Sequence, residues 1–158
     1  MNIEEKVCTQ KQGSELRKLG LILKTERYWI QGFNTNQMDL DGYDFNLKPW
    51  PLKYERWHVT SDPDFLEQEQ IIRIPAYDVS ELGKILPDFI NSDNQKFDLT
   101  IRKLSNDNGW SVGYECQKRS GNVWIEIVSM KDTLAQALCD ILIILIELKY
   151  IKPGDYKL

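Results

Sequence analysis

Apolar positions crowd one stretch of this chain more tightly than any other. Residues 133–151 read TLAQALCDILIILIELKYI, and between Leu138 and Ile146 the only polar residue is Asp140. A helix here is apolar around most of its circumference and has to be enclosed by other elements, so it is expected to be the central core helix. At about 100° per residue, Asp132, Gln136, Asp140 and Glu147 fall on one stripe, while Leu134, Leu138, Leu142 and Leu145 lie elsewhere. Ile143 points into the polar stripe. It reads either as a single exposed isoleucine or as a contact with another subunit or a partner. Ser129 with Asp132 three residues on resembles a capping box, and Pro153-Gly154 close the far end.

Upstream, residues 9–21 carry a short amphipathic helix with Leu16 and Leu19 inward and Gly20 near its end. Thr9 is placed to cap it, with Gln12 as capping-box partner, and Gly13 costs about 1 kcal/mol relative to alanine. Residues 27–33, RYWIQGF, have strand character, with Tyr28 and Ile30 on one face and Trp29, Gln31 and Phe33 on the other. Residues 34–70 mix Asn, Asp, Pro and aromatics. So long a structureless stretch is unusual, so one or two strands are expected within 43–48 and 53–59, and an insertion, lid or binding loop would sit here.

Pattern returns at Ile71. The strand Ile71-Ile72-Arg73-Ile74 ends at Pro75, and Asp78 with Glu81 opens a helix whose apolar face is Leu82, Ile85, Leu86 and Phe89. Strands at 97–104, 110–116 and 123–128 follow, joined by turns at 106–109 and 119–122, as an antiparallel meander. The fold class expected is α+β: a twisted antiparallel sheet of about four to six strands, packed on one face by two or three helices with the C-terminal helix central.

At 158 residues, 42% hydrophobic, residues 1–158 fit a single domain that buries roughly two-thirds of its unfolded surface. The net charge of -4 gives no electrostatic reason to expect nucleic acid as a partner. The basic residues of the N-terminal segment are interspersed with Glu4, Glu5, Glu15 and Glu26, the pattern of a solvated helix face. Cys8, Cys116 and Cys139 form no CxxC pair. The acidic start MNIEEKVCTQ has no secretory h-region, and the C-terminal apolar run falls short of the about 20 residues a membrane span needs. A cytoplasmic setting with no membrane partner is the expectation.

Five segments, CTQKQGSELRKLGL, IPAYDVSELGKILP, LTIRKL, WSVGY and TLAQALCDILIILIELKYI, resemble small uncharacterised proteins encoded by phages and mobile elements of Bacteroides-type gut bacteria. The resemblance covers the first 25 residues and most of 71–151, and residues 34–70 stand outside it. It implies a fold and a genomic context without an activity, and it carries over no functional residue.

Candidate chemistry is sparse. Asp39, Asp41 and Asp44 are the weak candidates for a metal site; Gln37, Asp39, Asp41 and Gly42 align with the start of an EF-hand loop, but Lys48 stands where a bidentate Glu is needed. His58 is the only histidine, so a Cys-His pair would need Cys8 or Cys116 brought to it. No GxGxxG, P-loop or GxSxG motif occurs. Trp50, Tyr54 and Trp57 would share a face if 50–57 were helical, with Lys53 and Arg56 beside them. Aromatic rings among cations anchor partners or stack bases, and they equally build a satellite core under a long loop.

No catalytic residue and no cofactor is expected, and the chain is read as more a binder than an enzyme. The first reading is a non-enzymatic accessory protein of a phage or mobile element that binds a protein partner through Trp50, Lys53, Tyr54, Arg56, Trp57 and Ile143. The alternative is a small-ligand or nucleotide-binding module with Trp29, Trp50, Tyr54 and Trp57 around a pocket. Last stands a carboxylate- or metal-dependent hydrolase using Asp39, Asp41 and Asp44. A homodimer is a further expectation, covering Ile143 or an exposed edge strand.

Overall fold

Leu134–Glu147 form the core helix, labelled α3. Ala135, Ala137, Leu138, Cys139, Ile141, Leu142, Leu145 and Ile146 are all buried, a set that runs around most of the helix. The computed structural model describes residues 3–32, 56–62, 73–105 and 108–156. Among these, the elements before α3 are α1 (Gln10–Lys18), β1 (Tyr28–Gly32), β2 (Arg56–Thr60), β3 (Arg73–Pro75), α2 (Val79–Gly83), β4 (Phe89–Ser92), β5 (Gln95–Lys103), β6 (Trp110–Gln117) and β7 (Val123–Lys131), with 3-10 turns at Ile3–Lys6 and Pro153–Tyr156.

The class is α+β, with the C-terminal helix packed on a sheet as expected. Its strands divide between two antiparallel sheets, ordered β2-β1-β3 and β4-β5-β6-β7. Helix α3 lies against β6 and β7 on one side and is covered by α1 and α2. Its leucines and isoleucines share the main core with Leu16, Tyr77, Leu82, Ile90, Phe97, Val112, Tyr114 and Ile127. Each such side chain, once fully buried, contributes about 1.5–3 kcal/mol. Around β1 lies a smaller cluster of Val7, Trp29, Val59 and Ala76.

Local signals determine most helix ends. Thr9 and Gln12 form a reciprocal capping box at α1, and Asp78 and Glu81 form one at α2. Both α1 and α3 close with the paired hydrogen bonds of a Schellman turn: Leu21 N–H to Leu16 O and Gly20 N–H to Arg17 O, then Tyr150 N–H to Leu145 O and Lys149 N–H to Ile146 O. The left-handed position is Gly20 (φ 87°) in the first and Lys149 (φ 65°) in the second.

Two expectations are corrected. The cap of α3 is Thr133, whose side chain accepts the Gln136 N–H. Ser129 lies in β7, which runs on to Lys131, and its hydroxyl turns inward to donate to Asp140 at 3.2 Å. Phe89 belongs to β4 rather than to the face of α2, because α2 stops at Gly83 and the chain re-enters the sheet through a hairpin. The hairpin turn is Asp93-Asn94, with φ of 47° and 62°, a pair of positive angles that matches the twist of the flanking strands. Arg56 and Trp57 are extended residues of β2, opposite Gly32 and Gln31, in keeping with the strand expected within 53–59, so the condition of a helix over 50–57 is not met.

Gly13 is required by packing. A Cβ there would stand 2.2 Å from the Pro75 carbonyl oxygen, where α1 crosses β3. Gly13→Ala is therefore expected to destabilise the protein by about 1–3 kcal/mol despite alanine's better helix propensity. Lys149→Gly should do the opposite and stabilise by about 1 kcal/mol, since glycine adopts the left-handed cap without steric cost. Urea unfolding midpoints of the two variants check both signs.

Candidate functional site

Strand β7 is where apolar surface stays uncovered. Ile127 and Ser129 point to α3 and are each 7% exposed, whereas Val128 is 41%, Ile125 52% and Met130 62% exposed. The register sets Met130 opposite Ser111, Val128 opposite Gly113 and Ile125 opposite Glu115 on the side away from α3. A β-bulge beside Tyr114 and Glu115 leaves Glu126 without an opposite residue. Glu126 instead accepts a 2.8 Å hydrogen bond from Ser92 of β4, so side chains of the two outer strands reach each other across the sheet. Trp124 is 52% exposed, with the Lys118 ammonium 3.3 Å from its ring centroid.

The neighbouring strands present charge that is internally paired. Arg102 donates to both carboxylate oxygens of Glu115, at 2.9 and 2.6 Å, and Lys96 sits 3.0 Å from Asp98. The exposed apolar atoms of this face are thus concentrated on β7. That strand is also the edge of its sheet, and no described residue pairs with its outer side. Among the described residues, its outward backbone groups take no further strand.

A second concavity, a cleft of about 880 Å³, lies between the first turns of α2 and α3, with Lys6, Lys103 and Trp110 on its walls. Lys6, Lys103, Glu5 and Asp132 line it without ion-pair partners among the described residues, so neither sign of charge prevails. Asp78, also in its wall, is already occupied by Arg27. Burial works to raise the Asp78 carboxyl, but the Glu81 N–H, the Arg27 guanidinium and the Ser80 N–H together hold it below the usual carboxylate value.

The polar groups inside the core serve structure. Gln12, on α1, donates to Asp140 Oδ1 and, at 2.9 Å, to the Gln136 carbonyl. Asp140 Oδ2 accepts from Ser129 and lies 3.0 Å from Lys131 Nζ. Trp29 is 8% exposed and its indole N–H donates to the Cys8 carbonyl at 2.7 Å, so packing accounts for it. Cys8 and Cys139 are fully buried, and burial, then the neighbouring Cys8, pushes the Cys139 thiol well up. A neutral, enclosed thiol such as Cys139 is a poor nucleophile.

Of the residues singled out from the sequence, Ile143 is half-buried and packs against the main core. Trp50, Lys53 and Tyr54 lie outside the described residues, as do Asp39, Asp41 and Asp44; of Arg56, Trp57 and His58 only the strand backbone is described. Among the described residues no cluster of His, Cys, Asp and Glu could hold a metal ion, and no helix is long and apolar enough to cross a membrane. The alternation in residues 123–130 was the available signal for β7, but alternation alone does not say which strand ends a sheet. Comparison with protein-family models, curated proteins and solved structures finds no match to this chain.

Two outcomes follow for the charged groups. Asp140→Ala should lower stability by about 1.5–3 kcal/mol, the range for hydrogen bonds to a charged group, because it strands Gln12 and Ser129. For Asp78 the folded carboxyl titrates below the unfolded one, so its contribution is full above the unfolded value and disappears as pH falls through the folded one. Asp78→Asn should accordingly flatten the loss of stability below about pH 4, as read from thermal midpoints across an acid series.

Proposed function

We propose that this chain is a non-enzymatic accessory protein of a phage or mobile element that works by binding another protein chain, with β7 as the contact surface. The observation that carries this reading is that a sheet edge with which no described residue pairs coincides with Ile125, Val128 and Met130 exposed along one side of the same strand. Backbone pairing at such an edge supplies affinity, and alternate side chains supply specificity. Natural sheets ordinarily blunt a long edge with lysine, proline or a short strand. Here that protection is limited to Glu126 at the bulge and Lys131 at the last position of the strand.

The small-ligand reading has one observation in its favour. The cleft beside Trp110 falls within the roughly 300–1,000 Å³ span of ligand sites. Its mixed, unpaired charges single out no ligand class, and it ranks second.

Val128→Lys tests the first reading, since the side chain points to solvent and the fold should survive. Affinity capture with the wild-type chain, followed by mass spectrometry, is expected to recover a partner that the Val128→Lys chain loses while its circular dichroism and melting temperature stay close to wild type. A bound set that is the same for both chains would overturn the assignment to β7. A Trp50→Ala/Trp57→Ala variant run alongside tells whether residues 50–57 contribute contacts of their own.

A further inference from the structure

Resting on the reading of β7 as a contact surface, we infer that its occupant is a second copy of this chain, joined through an antiparallel β7–β7 contact about a two-fold axis near the middle of the strand. The two edges of the four-stranded sheet are unequal. β4 has four residues, and the Lys96 ammonium covers its Phe89 ring at 4.6 Å. β7 has nine residues, about 30 Å of ladder at the usual rise per residue, and carries the uncovered Ile125, Val128 and Met130. A strand meeting its own copy antiparallel about a two-fold axis keeps the same face of both copies on the same side, so the apolar stripe continues across the junction.

Apart from Lys131, which is held by Asp140, the charges at the strand's two ends support the same orientation. Arg119 lies in the turn that leads into β7, and Asp132 directly follows it. Both are exposed, and neither has a charged partner among the described residues. A two-fold axis through the strand brings the Arg119 end of each copy to the Asp132 end of the other, twice over. A parallel contact would set like charges together. Opposite charges at the rim of an apolar strip fix register and orientation more than they add affinity.

Sedimentation equilibrium of the full chain over a micromolar concentration series tests this. Wild type should reach twice the chain mass, and Val128→Lys and Met130→Glu should both remain monomeric with unchanged circular dichroism. Arg119→Asp alone should weaken association by about threefold to tenfold, as expected for two exposed ion pairs, and adding Asp132→Arg should restore it. Two variants at separate positions guard against a single one failing to fold. A wild-type chain that stays monomeric throughout would overturn the inference, and so would a dimer indifferent to all four substitutions. A monomeric wild type that nevertheless loses a captured partner through Val128→Lys would reject self-pairing while leaving the interaction reading intact.

Discussion

Everything in this fold answers to the burial of α3. Eight of its fourteen residues are buried, and they point in most directions around its axis. A helix of that kind is unstable at a surface, so a sheet has to lie under it and helices have to lie over it. The meander of β4 to β7 provides the floor, and α1 and α2 provide the cover. Hydrophobicity alone would leave the rotation of such a helix weakly determined. Asp140 removes that freedom, because its two oxygens need Gln12 on one side and Ser129 with Lys131 on the other.

That division of labour leaves β7 in an unusual position. Its inner side holds α3 through Ile127 and Ser129, and its outer side leaves Ile125, Val128 and Met130 exposed. Leaving Ile125, Val128 and Met130 in water forgoes burial that the chain could have avoided with polar residues at no cost to its core. The neighbouring strands show the contrast, since Arg102, Glu115, Lys96 and Asp98 solve the same surface problem with paired charge. An edge strand that is long, apolar and uncovered makes sense as one half of a contact.

Much of the architecture was legible from residues because its causes are local. Thr9 with Gln12 and Asp78 with Glu81 announce helix starts within four residues, and the turn-forming residue types at 106–109 and 119–122 announce the meander. Where the causes are distant, reading the chain went astray. Ser129 and Asp132 have the spacing of a capping box, but Ser129 is needed by Asp140 across the core, so the strand continues and Thr133 takes the cap. Asp93-Asn94 turns the β4–β5 hairpin without glycine, and Phe89 looked like one more apolar position on a helix. The candidate surface was less legible still. The alternation of β7 is the same whether a sheet covers both of its sides or one, and only the strand order makes it an edge.

Amide hydrogen exchange along β7 tests the central claim most directly. The account predicts that alternate amides within Val123–Lys131 exchange quickly in dilute protein and become protected as concentration rises, while amides of β6 stay protected throughout. If the outward amides of β7 are equally slow at every concentration, the edge is already covered within the single chain. If they stay fast at every concentration and in the presence of host extract, β7 is not a contact surface.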